Sequence, residues 1–143
     1  MTHAPVRYPR LLTSLLLAVA LGGCAEEDDP GTEADRLGVG AQCQNTARCE
    51  SYADAEDSDV TLSCLSQFKG GYCGIIDCIN HDDCPEGSAC VAHDDGFNYC
   101  FRVCADKAEC NVNRDAEHEA NCSANITWVG EDFGKACVPP EGA

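Results

Sequence analysis

In 143 residues, nine Lys and Arg stand against 25 Asp and Glu, a formal charge of −16, and thirteen cysteines run through the chain. That balance argues against a nucleic-acid partner, whose phosphates are held by clusters of Lys and Arg. It argues equally against adhesion of the protein surface to anionic lipid head groups.

The first ten residues, "MTHAPVRYPR", carry Arg7 and Arg10 and no acid, and "LLTSLLLAVAL" follows from Leu11 to Leu21. Eleven largely apolar residues are too few for a membrane-spanning helix, which needs about 20. Behind a basic start they fit the apolar region of a secretory signal, assigned here to 1–23. The next four-residue motif, "LGGC" from Leu21 to Cys24, resembles the lipobox of bacterial lipoproteins. In that family the cysteine thiol receives a diacylglyceryl group, a peptidase cleaves before it, and the new amino group is often acylated, as by palmitate. The chemistry suits a thiolate, the most nucleophilic side chain near neutral pH. Each buried methylene adds about 0.8 kcal/mol, so two or more chains hold a protein on its membrane. The residue after Cys24 is Ala25 rather than the aspartate that retains enteric lipoproteins in the inner membrane. The resemblance therefore implies a cell-envelope protein of the outer membrane, facing periplasm or cell surface. With Cys24 lipidated, twelve cysteines remain, an even number.

From Cys24 to Ala143 seven basic residues face 25 acids, a charge of −18, and only eighteen residues are Leu, Ile, Val or Phe. So few large apolar residues with so much charge normally mean disorder. Twelve cysteines in that span mean the opposite, a disulfide scaffold in an oxidising compartment. Residues 24–40, with "AEEDDPGTEADRLGVG" after the cysteine, read as a lipidated N-terminus and an acidic flexible tether. Pro30 and Gly31 argue against a helix there.

From Cys43 the cysteines form three sets of four: Cys43, Cys49, Cys64, Cys73; then Cys78, Cys84, Cys90, Cys100; then Cys104, Cys110, Cys122, Cys137. In each set five residues separate the first two, as "CQNTARC", "CINHDDC" and "CADKAEC", while the later gaps vary. A fixed short spacing with variable loops predicts tandem copies of one small module, with boundaries 41–75, 76–102 and 103–143. "DDCPEGSAC" with "GGYC" resembles the cysteine-rich tandem repeats of predicted surface lipoproteins of myxobacteria, and the spacing is also similar to the Dickkopf N-terminal cysteine-rich region. The bacterial resemblance covers roughly 39–140 and implies location and architecture rather than an activity.

The fold class expected is a small disulfide-rich protein with short β-hairpins and little regular secondary structure. "VTLSCLSQ" with "GGYCGIID" predicts one short hairpin. "GSACVAHDDGFNYCFRV" predicts another about its Asp-Gly turn, and "ITWVGEDFGKACV" suggests a third. "ARCESYADAED" and "NRDAEHEANC" are rich enough in Ala and Glu for a helical turn or two. Four cysteines allow three connectivities per set, and sequence leaves all three open. The interleaved order is expected, because linking neighbours closes separate small loops whereas interleaving ties them into one knot. That gives Cys43–Cys64, Cys49–Cys73, Cys78–Cys90, Cys84–Cys100, Cys104–Cys122 and Cys110–Cys137. In the chain-entropy model a 15-residue loop contributes about 3 kcal/mol, so six bridges can replace a missing core.

Zinc is disfavoured, since structural sites use closely spaced cysteine pairs and only "CFRVC", Cys100 and Cys104, is close. No C-x-x-C redox pair occurs. Asp82, Asp83, Asp94 and Asp95, with "EDSD", lack the ligand spacing of a calcium loop and read as turn formers. His81, His93 and His118 are read as exposed loop residues rather than metal ligands. No nucleophile elbow, His-Glu-x-x-His or phosphate loop is present, so neither a catalytic residue nor a cofactor is expected. "NCS" at Asn121 and "NIT" at Asn125 match the glycosylation sequon, which carries little weight in a bacterial lipoprotein. The function expected is that of a non-enzymatic, lipid-anchored protein displaying a binding surface to another protein or a glycan. The alternative is an inhibitor or ligand-type module acting on a protease or receptor.

Overall fold

The computed structural model describes residues 31–52 and 59–142. The signal segment, Cys24 and most of "EDSD" lie outside them. Within them, one local design recurs three times. Two residues after the first cysteine of each set stands an Asn or Asp that caps a short helical turn. Asn45 accepts the Arg48 N–H at 3.0 Å and starts α1's successor in the chain, α2 (Thr46–Glu50), α1 being Glu33–Leu37. Asn80 accepts the Asp82 N–H at 2.8 Å above the 3-10 turn His81–Asp83. Asp106 accepts the N–H groups of Ala108 and Glu109 at 2.8 and 3.2 Å and starts α3 (Lys107–Cys110). Such caps satisfy N–H groups that have no partner inside the helix. The turn then delivers the second cysteine: Cys49 inside α2, Cys84 just past the 3-10 turn, Cys110 at the end of α3.

An antiparallel strand pair completes each unit, with its third cysteine directly opposite its fourth. β1 (Ser63–Cys64) pairs with β2 (Cys73–Gly74), placing Cys64 opposite Cys73. β3 (Ser88–Ala92) pairs with β4 (Asn98–Arg102), placing Cys90 opposite Cys100. β5 (Asn121–Ser123) pairs with β7 (Ala136–Val138), placing Cys122 opposite Cys137. Opposed residues of a ladder present their side chains on the same face. Both strand cysteines therefore look toward the capped turn, where the cysteine before the cap takes one and the cysteine delivered by the turn takes the other. The six bridges are Cys43–Cys64, Cys78–Cys90 and Cys104–Cys122, with Cα separations of 5.8, 5.9 and 6.0 Å, and Cys49–Cys73, Cys84–Cys100 and Cys110–Cys137, at 5.4, 5.4 and 5.3 Å. The protein is a small disulfide-rich fold of three four-cysteine modules, and in each the bridges interleave.

The modules are not beads on a string. Phe68 of the first packs edge-on against Tyr99 and Phe101 of the second, ring centroids 5.1 and 5.8 Å away, and Tyr72 packs on Phe101 at 5.2 Å. Ala136 of the third joins the same buried cluster. The "ITWVGEDFGKACV" stretch does not fold back on itself as a third hairpin. Its first end, β6 (Thr127–Trp128), pairs with β3 of the second module, while its last end becomes β7 beside β5. The reason is spacing: β5 already occupies the partner edge of β7, and the open edge of β3 takes the apolar Trp128 opposite the buried Val91.

The larger correction concerns 32–40, expected as tether. Pro30 and Gly31 precede the helix rather than interrupting it. Thr32 caps α1 through a capping box with Asp35, and Gly38 closes it at φ +74°, a left-handed conformation open to glycine. Ala34, Leu37, Val39 and Ala41 are buried in the common core. Fully burying side chains the size of Leu37 and Val39 is worth about 1.5–3 kcal/mol each, enough to dock so short a helix. Its two acids are half-buried and partnered, Glu33 accepting the Glu86 N–H at 3.1 Å and Asp35 pairing with Arg102. Of the two helical stretches expected, "ARCESYADAED" holds α2, with 53–58 outside the described residues, and "NRDAEHEANC" holds only the 3-10 turn Ala116–His118.

Candidate functional site

The bridges first decide what the cysteines can do. Three groups of sulfurs lie within 4.8 Å of one another, namely Cys43, Cys49 and Cys64; Cys78, Cys84 and Cys100; Cys104, Cys110 and Cys137. Every one of these sulfurs is bridged. Metal ligation and nucleophilic attack both require a thiolate, so the groups are pairs of adjacent bridges, brought together by the five-residue spacing.

The acids proposed as turn formers take several roles. Asp83 accepts the N–H groups of Ile79 and Asn80 at 2.7 and 3.1 Å. Asp95 accepts the Phe97 N–H at 3.1 Å and the Tyr99 hydroxyl at 2.7 Å. Desolvation opposes ionisation of Asp95, but the Tyr99 hydroxyl, the Phe97 N–H and nearby His93 outweigh it and hold the carboxyl below its ordinary value. On the other side of that bond, burial and then Asp95 push the Tyr99 phenol up to about 12. Asp82 and Asp94 are exposed at turns.

The histidines differ from the expectation of free loop residues. All three are half-buried. His81 Nδ1 accepts the Cys90 N–H at 3.1 Å, and its ring meets Phe133 edge-on at 4.8 Å. His93 packs against Phe68 at 5.3 Å and lies beside Asp95. His118 Nδ1 is 3.2 Å from Gln42 Oε1. They sit on separate parts of the fold, and among the described residues they form no cluster with one another.

Two arginines, neither singled out by the sequence, tie the modules together. Arg102 at the end of β4 pairs with Asp35 of α1 and donates to the Glu109 carbonyl at 2.6 Å. Burial acts to raise the Asp35 pKa, but the Thr32 N–H and hydroxyl and the Arg102 guanidinium together hold it below the usual carboxylate value. Arg114 donates to four carbonyls: His118 at 2.6 Å, Gly71 at 2.9 Å, Gly40 at 3.0 Å and Lys69 at 3.1 Å. These come from the N-terminal segment and from the first and third modules. Desolvation pulls the pKa of Arg114 downward. A run of uncapped carbonyls was the missing signal, and it is a property of the assembled backbone.

Around Arg114 opens the candidate site, a cleft of about 730 Å³ between α2 and the 111–115 turn. A second cleft of about 370 Å³ adjoins it, sharing Val112 and Asn113 and running on to Arg36 and Gly31. Part of the wall belongs to the fold: the Gln42 amide donates to Asp115 at 2.9 Å and accepts the Asp115 N–H at 3.1 Å. The Arg48 guanidinium lies over the Tyr52 ring, 4.5 Å from its centroid, a cation–π contact. Val112 stands at the junction, 77% exposed. With every described cysteine bridged and a polar groove open beside α2, the fold is that of a small disulfide-rich protein. Comparisons with protein-family models, curated proteins and solved structures returned no match.

Proposed function

We propose that the chain is a non-enzymatic, lipid-anchored protein of the cell envelope, held on the outer membrane through Cys24, whose bridged modules display a binding surface. The supporting observation is the cysteine balance. All twelve cysteines from Cys43 onward are bridged in pairs, leaving Cys24 at the end of "LGGC" as the thirteenth. Among the described residues no helix is long and apolar enough to cross a membrane. Bridged cysteines and a surplus of acids also suit an oxidising compartment and a partner other than nucleic acid.

The test is metabolic labelling with an alkyne fatty acid. The wild-type chain takes the label and partitions with membranes, and Cys24→Ser loses both. Label retained by Cys24→Ser overturns the anchor.

A further inference from the structure

We propose that the groove between α2 and the 111–115 turn binds a neutral saccharide chain. The first support is what the fold leaves unused there. The side-chain amides of Gln44 and Asn113 make no hydrogen bond among the described residues. Asn45 spends its Oδ1 on the α2 cap, and its amide N–H groups make no hydrogen bond among the described residues. Among the described residues the Arg48 side chain hydrogen-bonds only Ser51, at 3.4 Å, and lies over the Tyr52 ring. Planar amides and a guanidinium offer paired donors and acceptors of the kind that adjacent hydroxyls of a sugar ring engage. Val112, exposed at the junction of the two clefts, offers an apolar patch for the C–H face of such a ring.

Charge narrows the class. The chain carries a formal −16, so a polyanion approaches against the field of the whole protein. A polycation is drawn by that field, but at the groove wall it meets two cations, Arg48 and Arg114, against one acid, Asp115. An apolar ligand would strip water from open amides and return no hydrogen bonds. A neutral, hydroxyl-rich ligand meets none of these penalties. The continuation past Val112 and Asn113 into the second cleft favours several linked sugars over one.

The proposal deepens the display reading by naming the class of partner. It is tested on the full-length chain, bridges intact, in detergent micelles, by following side-chain amide resonances during titration with cellohexaose, chitohexaose and mannohexaose. Hexagalacturonate and hexalysine serve as charged probes. The expected result is a saturable shift of the Gln44, Asn45 and Asn113 amides with at least one neutral probe. Arg48→Ala and Asn113→Ala, both exposed positions, should each weaken binding about tenfold, as for one or two lost hydrogen bonds, with the backbone spectrum unchanged. Absence of a saturable shift with every neutral probe, equal or stronger binding of a charged probe, or indifference to both variants overturns it. Acylation is read separately, so a labelled chain that ignores sugar refutes this inference alone, and an unlabelled chain that binds sugar refutes the anchor alone.

Discussion

Replacing Arg114 by Met keeps much of the side chain's length and removes its donors. Four carbonyls then lose their partner, but they are not equivalent. Lys69 is exposed and His118 half-buried, so water takes over there, whereas Gly40 and Gly71 are buried. An orphaned buried carbonyl costs about 1–3 kcal/mol, so the two together cost about 3 kcal/mol after partial relaxation. The assay is urea unfolding with the bridges intact, followed by fluorescence of Trp128, the single tryptophan. For a small cross-linked domain with an m-value of about 1 kcal/mol/M, the midpoint should fall by about 3 M. Arg114→Lys should recover less than half of the loss, since one ammonium cannot reach carbonyls spread around a guanidinium fork. A midpoint shift below about 1 M for Arg114→Met would refute the reasoning, because it would mean that water satisfies all four carbonyls.

Because Phe68, Tyr99, Phe101 and Ala136 share one core across three modules, unfolding should be a single transition by fluorescence and circular dichroism. Separate transitions would contradict the shared core. Asp35 has a lowered pKa in the folded chain. Its contribution is therefore complete above its ordinary value of 3.8 and is lost as pH falls through the lower folded value. Asp35→Asn should accordingly flatten the acid limb of the stability profile, and an unchanged limb counts against the Arg102 latch. Alanine at Asn45, Asn80 or Asp106 should each cost about 1 kcal/mol in chemical denaturation, and neutral substitutions at all three would deny the caps a role.

The cysteine spacing carried most of the local architecture. The constant five-residue gap marks a helical turn, and the variable gaps link that turn to a strand and the strand to its partner. One further signal stood in the same six-residue steps: Asn45, Asn80 and Asp106 occupy the same place after their cysteines, a cap position. What the spacing could not convey was how modules join. Tyr72 and Phe101 look like local hairpin residues until their rings meet, and Trp128 pairs with a strand of another module because β3 has a free edge. Likewise the acids of "TEADRL" conceal Ala34 and Leu37 on the opposite side of one helical turn, a pattern too short to stand out from a polar background. The groove was illegible for the same reason, as its two walls lie some sixty residues apart in sequence.

Docking of α1 also sets a length. Chain that was expected to run free as far as residue 40 is fixed to the head from Thr32 onward. A protein fastened to a bilayer at Cys24 would then hang on eight peptide units, which span no more than about 28 Å by any path. That leash exceeds the roughly 8 Å over which charge is felt at physiological salt, so a head this acidic can ride clear of anionic lipid while staying within one membrane's thickness of it. On the proposed anchorage, any ligand would have to come to that layer.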